Sequence, residues 1–174
     1  MADEQLASNA HVTTASSVEA TDAVVIRSRR GPVGLLTLNR PDARNALSES
    51  VLFAIQQGLT AFTARREIRA IVIAANGPAF CAGHDLRELT GHRKGADGGG
   101  SAFTRIMTLC SATMQAIIKC PKPVIAAIEG VATAAGCQLV ATCDLAVAAA
   151  SARFATNGIQ NGLYCATPDR KSVV

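Results

Sequence analysis

Residues 124–149 read VIAAIEGVATAAGCQLVATCDLAVAA, and this stretch decides the fold class. A short apolar run at 124–128 is followed by a helix-forming segment at 134–142 and by another apolar run at 145–149. Short apolar runs of this kind predict strands, and strands that alternate with helices are typical of a parallel sheet with helical layers. The stretch therefore predicts an α/β layered domain.

The chain before this stretch continues the same alternation. Residues 23–29 and 33–39 are apolar runs separated by Arg30-Gly31-Pro32, which predicts a hairpin. Residues 70–75 predict a buried strand that Asn76-Gly77-Pro78 ends. The Gly-rich segment 90–100 predicts a flexible surface loop, since it lacks the strand-then-helix context of a phosphate-binding loop.

Two apolar stripes predict longer helices. Ser48 is a candidate N-cap for the first, which is expected to end near Arg66. The first stripe consists of Leu52, Ile55, Leu59 and Phe62. The second consists of Phe103, Ile106, Met107, Cys110, Met114, Ile117 and Ile118, and Pro121 and Pro123 end it. Both stripes are expected to face the core.

Composition narrows the class of protein. A chain of 174 residues with 49% hydrophobic and 17% charged residues accommodates one domain with a real core. Aromatic residues make up 3% and the net charge of +4 comes from scattered Lys and Arg, so no nucleic-acid partner is expected. The six Cys contain no C-x-x-C pair, which predicts reduced core thiols and no metal site.

The two ends of the chain differ from its middle. Residues 1–22 predict a polar, disordered tail without a secretory signal, and no apolar run reaches the length of a membrane span. We therefore expect a cytoplasmic protein with no membrane partner. Residues 169–174 follow without a helix to cover the last strand, so the domain at 23–168 is expected to be incomplete at its C-terminus.

Three segments carry features that suit chemistry, and each has a plainer interpretation. In 79–86 a glycine precedes His84, so the backbone can bend and aim the His84 N–H into a cleft; the alternative is an ordinary loop. In 129–138 small residues open a helix, whose free N–H groups suit a developing oxyanion; the alternative is close helix packing. The Gly- and Asn-rich segment 154–162 predicts only a turn.

Four motifs, in this order, resemble the crotonase superfamily, the enoyl-CoA hydratase/isomerase family. They are LNRPDARNAL at 38–47, FCAGHDL at 80–86, PVIAAIEG at 123–130 and AGCQLVATCD at 135–144. The resemblance runs from about 24 to 168, and AAGCQ together with the Phe-Ala-Thr loop is most similar to the branch of enoyl-CoA hydratase domain-containing proteins. It implies a spiral of ββα units from which the C-terminal helical region is missing.

The resemblance also implies a site. The thioester oxygen of an acyl-CoA would be held by the backbone N–H groups of His84 and Ala135, with Gly136 beside the latter. The CoA arm would be lined by Ala82, Asp85, Leu86 and Arg87, with Arg44 contacting a phosphate. No cofactor is implied, because coenzyme A is part of the substrate. Relatives assemble as homo-trimers or dimers of trimers, and they act in fatty-acid or related acyl-CoA metabolism.

Two positions depart from the family pattern. Hydratases of the family have glutamates where this chain has Gln138 and Gly158. An amide does not titrate near neutral pH and glycine has no side chain, so each loss is expected to reduce the rate by ~10²–10⁴. Ala135 stands where most relatives have Gly, which costs about 1 kcal/mol if φ is positive and leaves the N–H unharmed if φ is negative.

Other residues are weaker candidates for the proton transfer. His84 titrates in the right range, Cys137 and Tyr164 are further alternatives, and Asp144 is expected to be a structural turn partner. The sequence thus leaves two hypotheses: an acyl-CoA enzyme that polarises a thioester, or a non-catalytic acyl-CoA-binding protein or inactive fragment. Gln138, Gly158 and the short C-terminus favour the second.

Overall fold

A computed structural model describes residues 16–18 and 23–156, in which strands and helices alternate along the chain. The strands are β1 (Ser16–Val18), β2 (Val25–Arg30), β3 (Val33–Leu38), β4 (Ala70–Ala75), β5 (Ala79–Cys81), β6 (Val124–Ile128), β7 (Val131–Thr133), β8 (Leu145–Ala148) and β9 (Arg153–Ala155). The helices are α1 (Glu49–Ala64), α2 (Leu86–His92), α3 (Gly100–Ile118) and α4 (Ala135–Thr142). A 3₁₀ turn covers Pro41–Ala43.

The strands form two sheets. A six-stranded sheet has the order β1-β2-β3-β4-β6-β8, in which β2 and β3 form the predicted antiparallel hairpin and β3 to β8 run parallel. A three-stranded parallel sheet has the order β5-β7-β9. From β4 onward each strand of the large sheet is followed by one of the small sheet. This alternation confirms the predicted spiral of ββα units and the α/β class.

The core lies between the large sheet and the helices α1 and α3. Ser48 caps α1 as predicted, because its side chain accepts a hydrogen bond from Val51 N. The α1 stripe is fully buried. At Gly58 a Cβ would collide with the side chain of Leu36, so a glycine is what allows α1 to lie directly on β3. Close packing of this kind contributes the larger part of the helix's stability.

Three sequence predictions need correction. Residues 90–92 belong to α2 and are not part of a loop, because Asp85 caps a helix that continues to His92. Met107 and Ile118 are exposed, so the α3 stripe is narrower than predicted. Ser16–Val18, inside the predicted tail, pair antiparallel with β2.

The strand β8 lies at an edge of the large sheet. All four of its residues are exposed, Leu145 at 61% and Val147 at 66%. The residues of β9, the last described strand, are exposed as well. No helix in the described part of the chain has the length and apolarity that crossing a membrane requires.

Candidate functional site

The loop at residues 40–47 forms one wall of the candidate site. Asn45 is buried and holds it in place: its Nδ2 donates to Asn76 O and Ala79 O, both at 2.8 Å, and its Oδ1 accepts from Arg40 N at 2.8 Å. Arg44 and Asn45 both have positive φ, which Asn tolerates better than most residues. Sequence reasoning missed Asn45 and Arg40, although both stand in the 38–47 motif.

The backbone around His84 is anchored on one side. Leu47 N donates to Gly83 O at 2.7 Å, and Asp85 N donates to Leu47 O at 3.2 Å. Because successive N–H groups of an extended chain point in opposite directions, the His84 N–H points away from Leu47. It has no hydrogen-bond acceptor among residues 16–18 and 23–156.

The start of α4 lies on the other side of this segment. Thr133 Oγ1 donates to Ala82 O at 3.0 Å, and a Cβ on Gly83 would lie 3.3 Å from Ala135 N. Ala135 N is the first amide of α4, and it too lacks an acceptor in the described part of the chain. The structure therefore brings the His84 segment against the helix start. How the two N–H groups are oriented toward a common ligand atom stays a prediction.

The sequence analysis leaves open whether Ala135 has a positive φ. In the structure the residue with positive φ is its neighbour Ala134. Ala134 has φ 50° and ψ −122°, whereas Ala135 is not among the residues with positive φ. The Ala135 N–H is thus retained in an ordinary helical position, and the backbone strain lies at Ala134.

Asp85 occupies a buried position at 8% exposure. Its Oδ1 accepts from Arg87 N at 3.1 Å and Glu88 N at 3.2 Å, which caps α2, and its Oδ2 accepts from Arg40 Nη2 at 2.9 Å. Burial alone would raise the pKa of Asp85, but these amides and the guanidinium outweigh it and hold the pKa below its usual value. The carboxylate is therefore ionised and already engaged.

The imidazole of His84 has an unusual environment. Its Nδ1 is completely buried and has no hydrogen-bond partner among the described residues. Burial lowers the pKa of His84, so the ring is neutral at pH 7. The thiol of nearby Cys81 is also neutral, because burial raises its pKa to about 12.

A cleft of about 390 Å³ lies between the loop at 40–47 and the segment 82–87. It is lined by six of the predicted substrate-binding residues, Arg44, Ala82, His84, Asp85, Leu86 and Arg87, and by Asp42, Ala43 and Ala46, which the sequence analysis did not single out. Ala135 and Gly136 do not line it. Gly136 packs instead on the backbone of Cys81, where a Cβ would collide with Cys81 O.

The remaining acid–base candidates have different surroundings. Gln138 is half-buried, one turn into α4. Asp144 is a structural turn partner, as predicted, because its Oδ2 accepts from Val124 N at 2.9 Å. Cys137 Sγ donates to Ala132 O at 2.9 Å. Gly158 and Tyr164 lie outside the described residues. Among the described cysteines, Cys81, Cys110, Cys120 and Cys143 are free thiols, in agreement with the predicted reduced state.

One cluster elsewhere has the donor types of a metal site. Ligand atoms of Glu49, Glu88 and His92 lie within 4.8 Å of one another. Arg105 already pairs with both oxygens of Glu49, through Nη2 at 2.6 Å and Nε at 2.9 Å, and Glu88 Oε2 accepts from Glu49 N at 3.1 Å. The positive charge that a cation would bring is supplied by Arg105.

Comparisons with known proteins point in one direction. Residues 28–169 match the family described as enoyl-CoA hydratase/isomerase. The chain is 40% identical over 148 residues to a mitochondrial enoyl-CoA hydratase domain-containing protein 3 of Danio rerio, covering 85% of this chain and 50% of that relative. It spans about half the length of the curated relatives it matches.

Solved structures agree with the sequence comparisons. A Mycobacterium smegmatis enoyl-CoA hydratase superposes with a TM-score of 0.77 at 47% identity, covering 84% of this chain and 56% of that one. The human enoyl-CoA hydratase domain-containing protein 3 gives a TM-score of 0.76 at 38% identity, covering 83% and 55%.

Proposed function

The chain belongs to the enoyl-CoA hydratase/isomerase family and resembles its enoyl-CoA hydratase domain-containing protein 3 branch, and on this premise we propose that it binds acyl-CoA thioesters. The thioester oxygen is held by the N–H groups of His84 and Ala135, and the CoA arm lies along the cleft between residues 40–47 and 82–87. Coenzyme A enters as part of the ligand, so no separate cofactor is needed.

The observation that carries this proposal is a pair of amides, those of His84 and Ala135, that lack acceptors among the described residues. The His84 N–H points away from Leu47, and Ala135 N opens α4 within contact distance of a Cβ on Gly83. A carbonyl oxygen that accepts from two such donors becomes polarised, and an enolate formed from it is stabilised further by the helix dipole. Thioesters react at the α or β carbon through such an enolate.

The walls of the cleft suit the rest of the ligand. Arg44 and Arg87 line it and are the cations that a phosphate would contact. Asp85 lines it too, but its two oxygens are occupied by α2 and Arg40, so we assign it a positioning role and not a ligand contact.

Hydration itself is a separate question. Gln138 supplies no general acid or base, and Gly158 supplies no side chain. These two residues favour the alternative function, which is binding of acyl-CoA without efficient turnover. Because the chain covers about half of its relatives, the reaction of the whole protein belongs to this proposal as well.

Calorimetry with two matched ligands tests the binding proposal. Acetyl-CoA carries the thioester oxygen, and S-ethyl-CoA is a thioether that lacks it. We expect acetyl-CoA to bind roughly three- to tenfold more tightly, the ratio that about one net hydrogen bond provides. Equal affinities would remove the role of the amides, and no binding of either ligand would overturn the proposal as a whole.

A spectroscopic assay separates turnover from binding. Loss of the conjugated absorbance of crotonyl-CoA is followed for the native chain and for the double variant Gln138→Glu, Gly158→Glu. Activity only in the doubly acidic variant favours binding without turnover in the native protein. Activity in the native protein shows that another group transfers the proton.

We place this activity in fatty-acid or related acyl-CoA metabolism in the cytoplasm. The mitochondrial names of its relatives make cell fractionation the decisive test of location, and recovery in the mitochondrial fraction would refute the cytoplasmic assignment. A trimer, the assembly expected from the family resemblance, is tested by light scattering.

A further inference from the structure

We infer that the side chain of His84 is a neutral hydrogen-bond donor, through Nε2–H, to an uncharged acceptor in the pantetheine–thioester arm of the bound ligand. This inference rests on the proposed acyl-CoA binding and adds a side chain to the two amides. It assigns to one residue both a main-chain and a side-chain donor.

The first step is the unpartnered ring nitrogen. Nδ1 of His84 is fully buried and meets no donor or acceptor among residues 16–18 and 23–156. A proton on Nδ1 would be a buried donor without an acceptor, and a charged ring would carry such a proton as well. The neutral ring with its proton on Nε2 avoids both, and it leaves Nδ1 as a buried acceptor without a donor instead.

The second step is the direction of the other nitrogen. His84 lines the cleft, and its Nε2 is neither among the buried unpartnered atoms nor engaged in a hydrogen bond within the described residues. Of the two ring nitrogens only Nε2 is open to a partner from outside the protein, and we assign it to a ligand in the cleft.

The third step concerns the charges that face the ring. The cleft also presents Asp42, Arg44, Asp85 and Arg87, and Asp85 is neutralised by Arg40. Within residues 16–18 and 23–156 no carboxylate is paired with the His84 ring, and burial opposes a charge on it. We assign Arg44 and Arg87 to the phosphates of the ligand. The neutral His84 donor then suits an acceptor without charge, which in this ligand is an amide or thioester carbonyl.

Nuclear magnetic resonance of the ring nitrogens tests the tautomer. Protein labelled with ¹⁵N-histidine is recorded at pH 7, and His84→Gln assigns the signals. We expect the His84 pair to show a protonated Nε2 and an unprotonated Nδ1. A proton on Nδ1, or a doubly protonated ring at this pH, would overturn the inference without affecting the amide proposal.

Binding measurements test the donor. His84→Phe keeps a flat ring and removes the donor, whereas His84→Gln keeps an N–H near the position of Nε2. We expect acetyl-CoA to bind roughly three- to tenfold more weakly to the Phe variant than to the native protein. The loss of affinity in the Gln variant should be smaller. Adenosine 3′,5′-bisphosphate, which lacks the pantetheine arm, should bind equally to all three proteins.

The two ligands distinguish the ways of failing. Equal losses for acetyl-CoA and the bisphosphate would mean that His84 only supports the structure of the cleft, and unchanged acetyl-CoA affinity in the Phe variant would remove the donor. Native protein that binds the bisphosphate but not acetyl-CoA would overturn the proposed function itself.

Discussion

Arg40 and Asp85 form an ion pair, with 2.9 Å between Arg40 Nη2 and Asp85 Oδ2, that fastens the loop at 40–47 to the start of α2. Arg40 Nη1 also donates to Ala46 O at 3.1 Å, and Asp85 Oδ1 caps the helix. His84 directly precedes Asp85, and its neighbour Gly83 is hydrogen-bonded to Leu47 of the loop. The position of its amide is therefore determined by a contact between two walls of the cleft.

Replacing Asp85 by Asn removes the ion pair with Arg40 and should lower the stability of the protein in a pH-dependent way. Because the folded-state pKa of Asp85 is depressed, its contribution to stability is present above the unfolded value of about 4 and is lost as the pH falls through the lower folded value. At pH 7 the variant should lose about 1–2 kcal/mol of unfolding free energy, since Asn keeps the cap but not the charge.

Urea unfolding at pH 7, 4 and 3 measures this difference. The gap between native and variant proteins should narrow as the pH falls. Asp85→Ala, which loses the cap too, should be less stable than the Asn variant by a further ~1 kcal/mol at pH 7. A gap between native protein and Asp85→Asn that stays constant from pH 7 to 3 would contradict the assigned role of the carboxylate.

Replacing Ala134 by glycine should stabilise the folded protein. At φ 50° and ψ −122° a Cβ is strained, so Ala134→Gly is expected to raise the unfolding free energy by about 1 kcal/mol. Ala135→Gly is the matched control, because Ala135 has no positive φ and begins α4; there glycine should cost about 0.5–1 kcal/mol. Chemical denaturation of the two variants should give changes of opposite sign, and the same sign in both would refute this assignment of strain.

Substituting alanine at Gly136 and at Gly91 should change the stability of the protein in opposite directions. A Cβ at Gly136 would collide with Cys81 O, so Gly136→Ala should destabilise the fold by about 1–3 kcal/mol or more. At Gly91, within α2, a Cβ would meet nothing within 4 Å, and Gly91→Ala should stabilise by about 0.5–1 kcal/mol. Thermal unfolding is the measurement. A tolerated Gly136→Ala would mean that α4 does not pack so closely on β5.

The sequence predicts the large-sheet elements well because each has a local cause. Residues 70–75 form a strand with the predicted bounds, and Ser48 caps α1 as its residue type suggests. The glycines between 91 and 100 favour a loop, but Asp85 and Glu88 carry a capping signal, and the local signal decides: α2 runs to His92. Short strands such as β5 and β7 are fixed by pairing between distant segments, and no local periodicity marks them.

The candidate site divides in the same way. Residue types indicate the bend at Gly83 and the helix start at Ala135. They do not indicate the contact between the two, since 51 residues lie between Gly83 and Ala135 in the sequence. The unpartnered Nδ1 of His84 is likewise a property of packing alone. A family motif predicts that these segments meet, and coordinates are needed to find which atoms lack partners.

Gly83→Ala tests that contact. Gly83 has φ +92°, and its Cβ would lie 3.0 Å from Ala134 Cβ, 3.2 Å from Thr133 O and 3.3 Å from Ala135 N. The segment and the helix start must move apart, so we expect acetyl-CoA to bind roughly three- to tenfold more weakly while S-ethyl-CoA, without the carbonyl oxygen, changes little. Gly31→Ala is the control, because Gly31 also has positive φ, at 55°, but lies in the β2–β3 turn. It should lose stability and leave both affinities unchanged; if it lowers the preference for acetyl-CoA as much as Gly83→Ala does, the effect is general destabilisation and not separation of two amides.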